Sequence, residues 1–174
     1  MTKIIFVLLI SFCGQAFAEH LTPAQILTLR AAIYAETDSE FVGYRTSGAT
    51  GAMQEWLAKP GATDAWNERC SGQTLFEATD VTKFDGLSAG KREAWRLMLS
   101  FAPIDYTHSN PRAATVDAWG NVNSVAILQQ CRRKASHAEA YFGGTVTVTN
   151  TVSAIILTAP GTLSQNEFLL AYTL

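Results

Sequence analysis

The sequence has few features that would indicate catalysis. It contains neither the phosphate-binding pattern of a P-loop nor a C-x-x-C pair. None of its three histidines, His20, His108 and His137, has a carboxylate or a second histidine at metal-ligand spacing. Histidines without such neighbours are most often surface or capping residues. We therefore expect no enzyme activity, no metal site and no cofactor.

Charge is also scarce, and there is no basic excess. The chain has 13 lysines and arginines and 15 aspartates and glutamates, so its net charge is −2. Without residues 1–18, whose only charged residue is Lys3, 12 basic and 15 acidic residues would remain, for −3. Proteins that bind the nucleic-acid backbone need a basic surface, so we expect no sequence-specific nucleic-acid partner. The basic cluster Arg132-Arg133-Lys134 is interpreted as a solvated helix face.

The apolar run near the N-terminus is too short for a stable membrane span. Ile4–Gly14 has fewer than the about 20 residues that a spanning helix needs. With Lys3 before it and Ala16-Phe17-Ala18 after it, the run has the layout of a secretory signal peptide. If residues 1–18 are cleaved, Cys70 and Cys131 could form one disulfide in an oxidising compartment. Alternatively, the segment is retained or is a misassigned start.

The rest of the chain, 19–174, is predicted to be a single domain, since 174 residues can bury a core without staples. Thr22 to Gln25 is a capping box with proline at the first helical position, and it opens a helix to about Ala35. Further helices are expected at about 50–58, from Ser88 to Phe101 and from Asn110 to Trp119. A loop is expected at 38–48, and short helical turns at 66–84.

The longest helical pattern runs from Ser124 to Gly144. Apolar or small residues recur in it at steps of three and four, which places them on one face of a helix. Ser124 can cap its start, and the glycines at 143 and 144 can end it. The predicted core includes Trp95, Met98, Leu128 and Phe142.

Beyond this helix the composition becomes β-like. Residues 145–149 alternate threonine and valine, and 153–158 are rich in β-branched residues, so a β-hairpin is predicted at about 145–158. Ser164 to Glu167 is a second capping box that opens a short terminal helix. The predicted fold class is therefore mainly α: a helical bundle body with a C-terminal β-hairpin and a short terminal helix.

One set of carboxylates suggests a minor alternative, a phage endolysin. Glu55 and Asp64 are nine residues apart, and Cys70 lies six further on. Phage-type lysozymes carry a Glu, Asp and Thr triad at this spacing, and paired carboxylates suit glycoside hydrolysis. The third position here is cysteine instead of threonine, so ordinary solvated carboxylates are the favoured interpretation.

Four motifs resemble a family of uncharacterised tailed-bacteriophage virion proteins: LTPAQILTLRAAI, FDGLSAGKREAW, CRRKASHAEAYFGG and GTLSQNEFLLA. The resemblance covers most of residues 21–171, and members of the family usually begin near Leu21. Their genes lie among virion morphogenesis genes. The resemblance therefore implies a structural part of the particle.

Two main hypotheses follow. The first is a virion structural protein, a head–tail joining, neck, adaptor or connector component that forms a homo-oligomeric ring and contacts portal or tail proteins. Its hairpin is expected to act as an intersubunit arm through Val146, Val148, Val152, Ile155 and Leu157. The second is an exported periplasmic or cell-envelope binding protein that carries the disulfide.

Overall fold

The computed structural model of the chain describes residues 21–158 and 163–173. The signal-peptide-like segment 1–18 and His20 lie outside the described residues. The helices are α1 (Pro23–Ala35), α2 (Ser39–Ser47), α3 (Thr50–Ala58), α4 (Gly72–Glu77), α5 (Val81–Asp85), α6 (Ala89–Ser100), α7 (Ser109–Gln130), α8 (His137–Phe142) and α9 (Gln165–Thr173). The strands are β1 (Pro60–Trp66), β2 (Arg132–Ser136), β3 (Gly144–Thr149) and β4 (Val152–Leu157).

The predicted fold class is wrong, because the sheet is not confined to a C-terminal hairpin. The described residues are 61% helical, but they also form a four-stranded mixed sheet with strands in the middle of the chain. Its order is β2-β1-β4-β3, in which β1 pairs antiparallel with β2 and parallel with β4, and β3 pairs antiparallel with β4. The hairpin itself is confirmed, but it is joined through β4 to a strand that lies about 90 residues earlier in the chain.

The continuous helix predicted from Ser124 to Gly144 is also wrong. Helix α7 ends at Gln130, and the residues that follow form β2 and then α8. Arg132 to Ser136 become a strand because they pair with β1, a non-local contact that overrides local helical periodicity. The basic cluster therefore lies on an edge strand and not on a helix face.

Several local predictions are confirmed by the cap geometry. Thr22 and Gln25 form the capping box of α1, and Ser164 and Glu167 exchange the same pair of hydrogen bonds at the start of α9. The chain turns sharply at Gly120, where φ is 73°, within α7. The predicted loop at 38–48 is instead α2, with an Asp38 N-cap and a left-handed Gly48 at its end.

Two hydrophobic clusters build the interior. The first packs α4, α6 and α7 against β1 and β4, and it includes Trp66, Trp95, Leu128 and Val152. The second joins α1, α2, α3, α8 and α9. Since β4 contributes to the first cluster, the hairpin is part of the core of its own chain.

The predicted core residues differ in how deeply they are buried. Trp95 and Leu128 are fully buried, as predicted, whereas Met98 and Phe142 are half-buried at the margins of the two clusters. Phe101, at the end of α6, is 72% exposed.

Candidate assembly surface

Strand β3 forms one edge of the sheet. Within the part of the chain that the structure describes, β3 pairs with β4 alone, so its outer edge has no strand partner there. Val146 and Val148 on this strand are each 66% exposed. An exposed edge with unpaired backbone groups and apolar side chains is a template for strand addition. This edge is the candidate site for assembly.

The register of the hairpin decides which predicted interface residues face outward. Val146 pairs with Ile155, Val148 with Ser153, and Gly144 with Leu157. Directly opposite residues of antiparallel strands point to the same face of the sheet. The exposed face therefore carries Val146 and Val148, with Ile155 and Leu157 half-buried beside them.

Val152, the fifth predicted interface residue, lies elsewhere. It pairs with Thr149 on the opposite face and is only 3% exposed, as a member of the first core cluster. Val152 therefore packs in its own chain and is not available to a partner.

Hydrogen bonds to core side chains fix the inward face of β3. The indole Nε1–H of Trp66 donates to Thr147 Oγ1 at 2.7 Å, and Arg112 Nε donates to Thr149 Oγ1 at 3.1 Å. The Arg112 guanidinium lies 5.0 Å from the centre of the Trp66 ring, a cation–π distance. These contacts anchor β3 to buried side chains of its own chain.

Arg112 is itself an unusual core residue, since its side chain is only 5% exposed. The buried guanidinium is hydrogen-bonded: Nη1 donates to the carbonyl oxygens of Tyr106, at 2.6 Å, and Thr107, at 2.7 Å. Burial lowers the pKa of Arg112, and Asp105 partly opposes this effect. Nothing in the local sequence around Asn110-Pro111 indicated that Arg112 would reach β3.

The other edge of the sheet, β2, is densely charged. Asp64 on β1 forms ion pairs with Arg132 and Lys134, each at 3.0 Å. Arg133 donates two hydrogen bonds to the buried carboxylate of Glu139, at 2.7 and 2.8 Å. The two edges therefore differ: β2 carries three basic residues and β3 carries no charge.

The Glu139 carboxylate also caps helix α8, because it accepts a hydrogen bond from the backbone N–H of Ser136. Burial raises the pKa of Glu139, but the hydrogen bonds from Arg133 and from the backbone of Ser136 outweigh it, so the pKa lies below 4.5. The buried pair of Arg133 and Glu139 was not predicted from the sequence. Its signal was the capping-box spacing from Ser136 to Glu139, which was hidden inside the longer helical pattern.

An open cleft of about 470 Å³ lies between the charged residues beside β2 and the apolar face of the hairpin. It is bordered by Asp64 and Arg132 on one side and by Val146, Ser153 and Ile155 on the other. The exposed face of the hairpin therefore continues toward the charged edge.

Cys70 and Cys131 form a disulfide, and both side chains are fully buried. The bond joins the segment after β1 to the end of α7. The backbone of Cys70 also exchanges two hydrogen bonds of 2.9 Å with Ile104. The disulfide and these two hydrogen bonds together join three segments that are distant in the sequence.

The carboxylates of the endolysin alternative lie on two consecutive elements, Glu55 on α3 and Asp64 on β1. Asp64 is engaged by Arg132 and Lys134, whereas Glu55 is exposed on α3, and no hydrogen bond or ion pair joins the two described carboxylates. Cys70, at the third position, is the buried half of the disulfide.

A serine motif in the middle of the chain has a structural role. Gly86-Leu-Ser-Ala-Gly90 matches the G-x-S-x-G pattern of hydrolases, whose serine lies between a strand and a helix. Here Ser88 follows the short helix α5 and is the N-cap of α6, where its Oγ accepts from Lys91 N at 3.4 Å. The motif is therefore a helix cap.

The two described histidines also have local structural contacts. His108 is the N-cap residue of α7 and lies 3.4 Å from Asp105, and His137 stacks on Trp56 with ring centres 3.8 Å apart. Among residues 21–158 and 163–173 there is no group of three His, Cys, Asp or Glu side chains placed to hold a metal ion. In the same residues, no helix is long and apolar enough to cross a membrane.

Comparisons with protein-family models, with curated proteins and with solved structures find no match to this chain.

Proposed function

We propose that this chain is a structural subunit of a tailed-bacteriophage particle. It acts as a head–tail joining or neck component that assembles with copies of itself, in a ring, and contacts portal or tail proteins. The observation that carries the proposal is the β3 edge, which is uncharged, anchored by hydrogen bonds on its inner face and lined by exposed Val146 and Val148. Such an edge favours assembly by strand addition.

The motifs behind the family resemblance support a structural role. Thr22, Ser88 and Ser136 in these motifs are all N-caps of helices. Their side chains accept hydrogen bonds from backbone N–H groups at the starts of helices. The similarity therefore concerns the framework of the fold, which agrees with a packing function.

Mass spectrometry of purified virions tests the proposal. A lysate of the phage-producing cell is separated into virions, periplasmic extract and remaining soluble protein, and peptides of this chain are quantified in each. We expect the peptides in the virion fraction at a fixed ratio to the portal protein. Their absence from virions, with enrichment in the periplasmic extract, would contradict the proposal.

The second candidate is an exported periplasmic or cell-envelope binding protein. The Cys70–Cys131 disulfide favours it, because disulfides persist mainly in oxidising compartments. A thiol count on protein from the producing cell, under denaturing and non-reducing conditions, tests this candidate. Blocked thiols at Cys70 and Cys131 before lysis would favour export, and free thiols would favour assembly in the cytosol.

A further inference from the structure

The two edges of the sheet differ in a way that selects how copies can pair. Charged side chains on an edge strand discourage pairing, and β2 carries Arg132, Arg133 and Lys134. Pairing of two β2 edges would crowd these long side chains, which already form ion pairs with Asp64 and Glu139. Strand β3, Gly144–Thr149, has no charged residue. Only the β3 edge is therefore suited to a second uncharged strand.

The sequence of β3 is complementary to itself in the antiparallel direction. When two copies are aligned about Thr147, Val146 of each lies opposite Val148 of the other, and Thr145 lies opposite Thr149. Opposite residues on antiparallel strands share a face, so both valine pairs would lie on the exposed side of the sheet. Cross-strand pairs of β-branched residues stabilise such a junction.

We propose that the partner of the β3 edge is a second copy of this chain, paired antiparallel about Thr147. The two four-stranded sheets join into one of eight strands, related by a two-fold axis perpendicular to the sheet. This inference rests on the self-assembly in the proposed function and specifies its contact. A two-fold contact of this kind closes on itself, so a ring is built from such dimers through another surface.

Sedimentation of the full chain tests the contact. We expect twice the monomer mass at about 100 μM for the unaltered protein. Val148→Lys, which places an ammonium group opposite Val146 of the second copy, should weaken the dimer by about tenfold or more. The matched control is Val81→Lys, since Val81 is 60% exposed on helix α5. A monomeric unaltered protein, or equal behaviour of the two variants, would overturn the inference.

Cysteine pairing tests the register without an added charge. Val146→Cys and Val148→Cys proteins, carrying different tags, are oxidised separately and as a mixture. The proposed register brings position 146 of one copy against 148 of the other, so the mixture should cross-link faster than either variant alone. Equal rates, or no cross-link in the mixture, would overturn it. Cross-linking in this register by a protein absent from virions would instead overturn only the proposed function.

Discussion

Removal of the disulfide should destabilise the fold strongly. The Cys70→Ala/Cys131→Ala double variant releases a loop whose ends are 61 residues apart in the sequence. The chain-entropy relation for a loop of that length gives a loss of about 4 kcal/mol. For a domain of this size, each kcal/mol lowers the unfolding midpoint by about 2–4 °C. We therefore expect the midpoint to fall by about 8–16 °C.

Thermal unfolding followed by circular dichroism measures this loss, with and without reductant. The reduced natural chain should unfold close to the double variant, and reductant should not change the double variant further. This last sample is the control for any effect of reductant on other parts of the chain. Equal midpoints for the oxidised natural chain and the double variant would refute the reasoning, because the crosslink would then contribute nothing to stability.

Three further predictions test the core and its buried groups. Trp95→Ala should lower the free energy of unfolding, measured in urea, by about 3–5 kcal/mol. The control Leu97→Ala, at a side chain that is 57% exposed, should change it by less than about 0.5 kcal/mol. Similar losses in the two variants would contradict the described packing of α6. Glu139→Gln should lower the free energy of unfolding by about 1–3 kcal/mol at neutral pH. Because the folded pKa of Glu139 is lowered, the natural chain should lose this extra stability as the pH falls below 4.5. An acid-unfolding profile that the substitution leaves unchanged would count against the buried pair. Burial raises the pKa of Tyr106 to about 12, so its contribution to the free energy of unfolding should be complete below pH 10 and decline between pH 10 and 12. The Tyr106→Phe variant should therefore show a flatter dependence of stability on pH in this range.

The elements that were predicted correctly from the sequence are those determined by residues close together in the chain. The capping box at Thr22 needs only residues within one helical turn, and the hairpin of β3 and β4 needs only alternation and a short turn at Asn150. Strands β1 and β2 depend on each other across the chain: the Arg132–Asp64 contact spans 68 residues. No local pattern carries that information, and the helical period around Arg132 pointed the other way.

The assembly surface was predicted only in part for a related reason. Alternation indicated that Val146 and Val148 share a face, but it does not say which face of the sheet the helices cover. The turn between β3 and β4 places Val152 opposite Thr149, toward the core. The hairpin is not only an arm: because it supplies Val152 to the core, its deletion should unfold the chain.

Peptide hydrogen exchange at two protein concentrations tests the central claim that copies assemble through the β3 edge. Pairing buries backbone N–H groups, so amides in Gly144–Thr149 should exchange more slowly in concentrated than in dilute protein. Amides of Arg132–Ser136, on the opposite edge, should exchange equally at both concentrations. Protection of β3 that is independent of concentration, or concentration-dependent protection at β2 instead, would contradict the account.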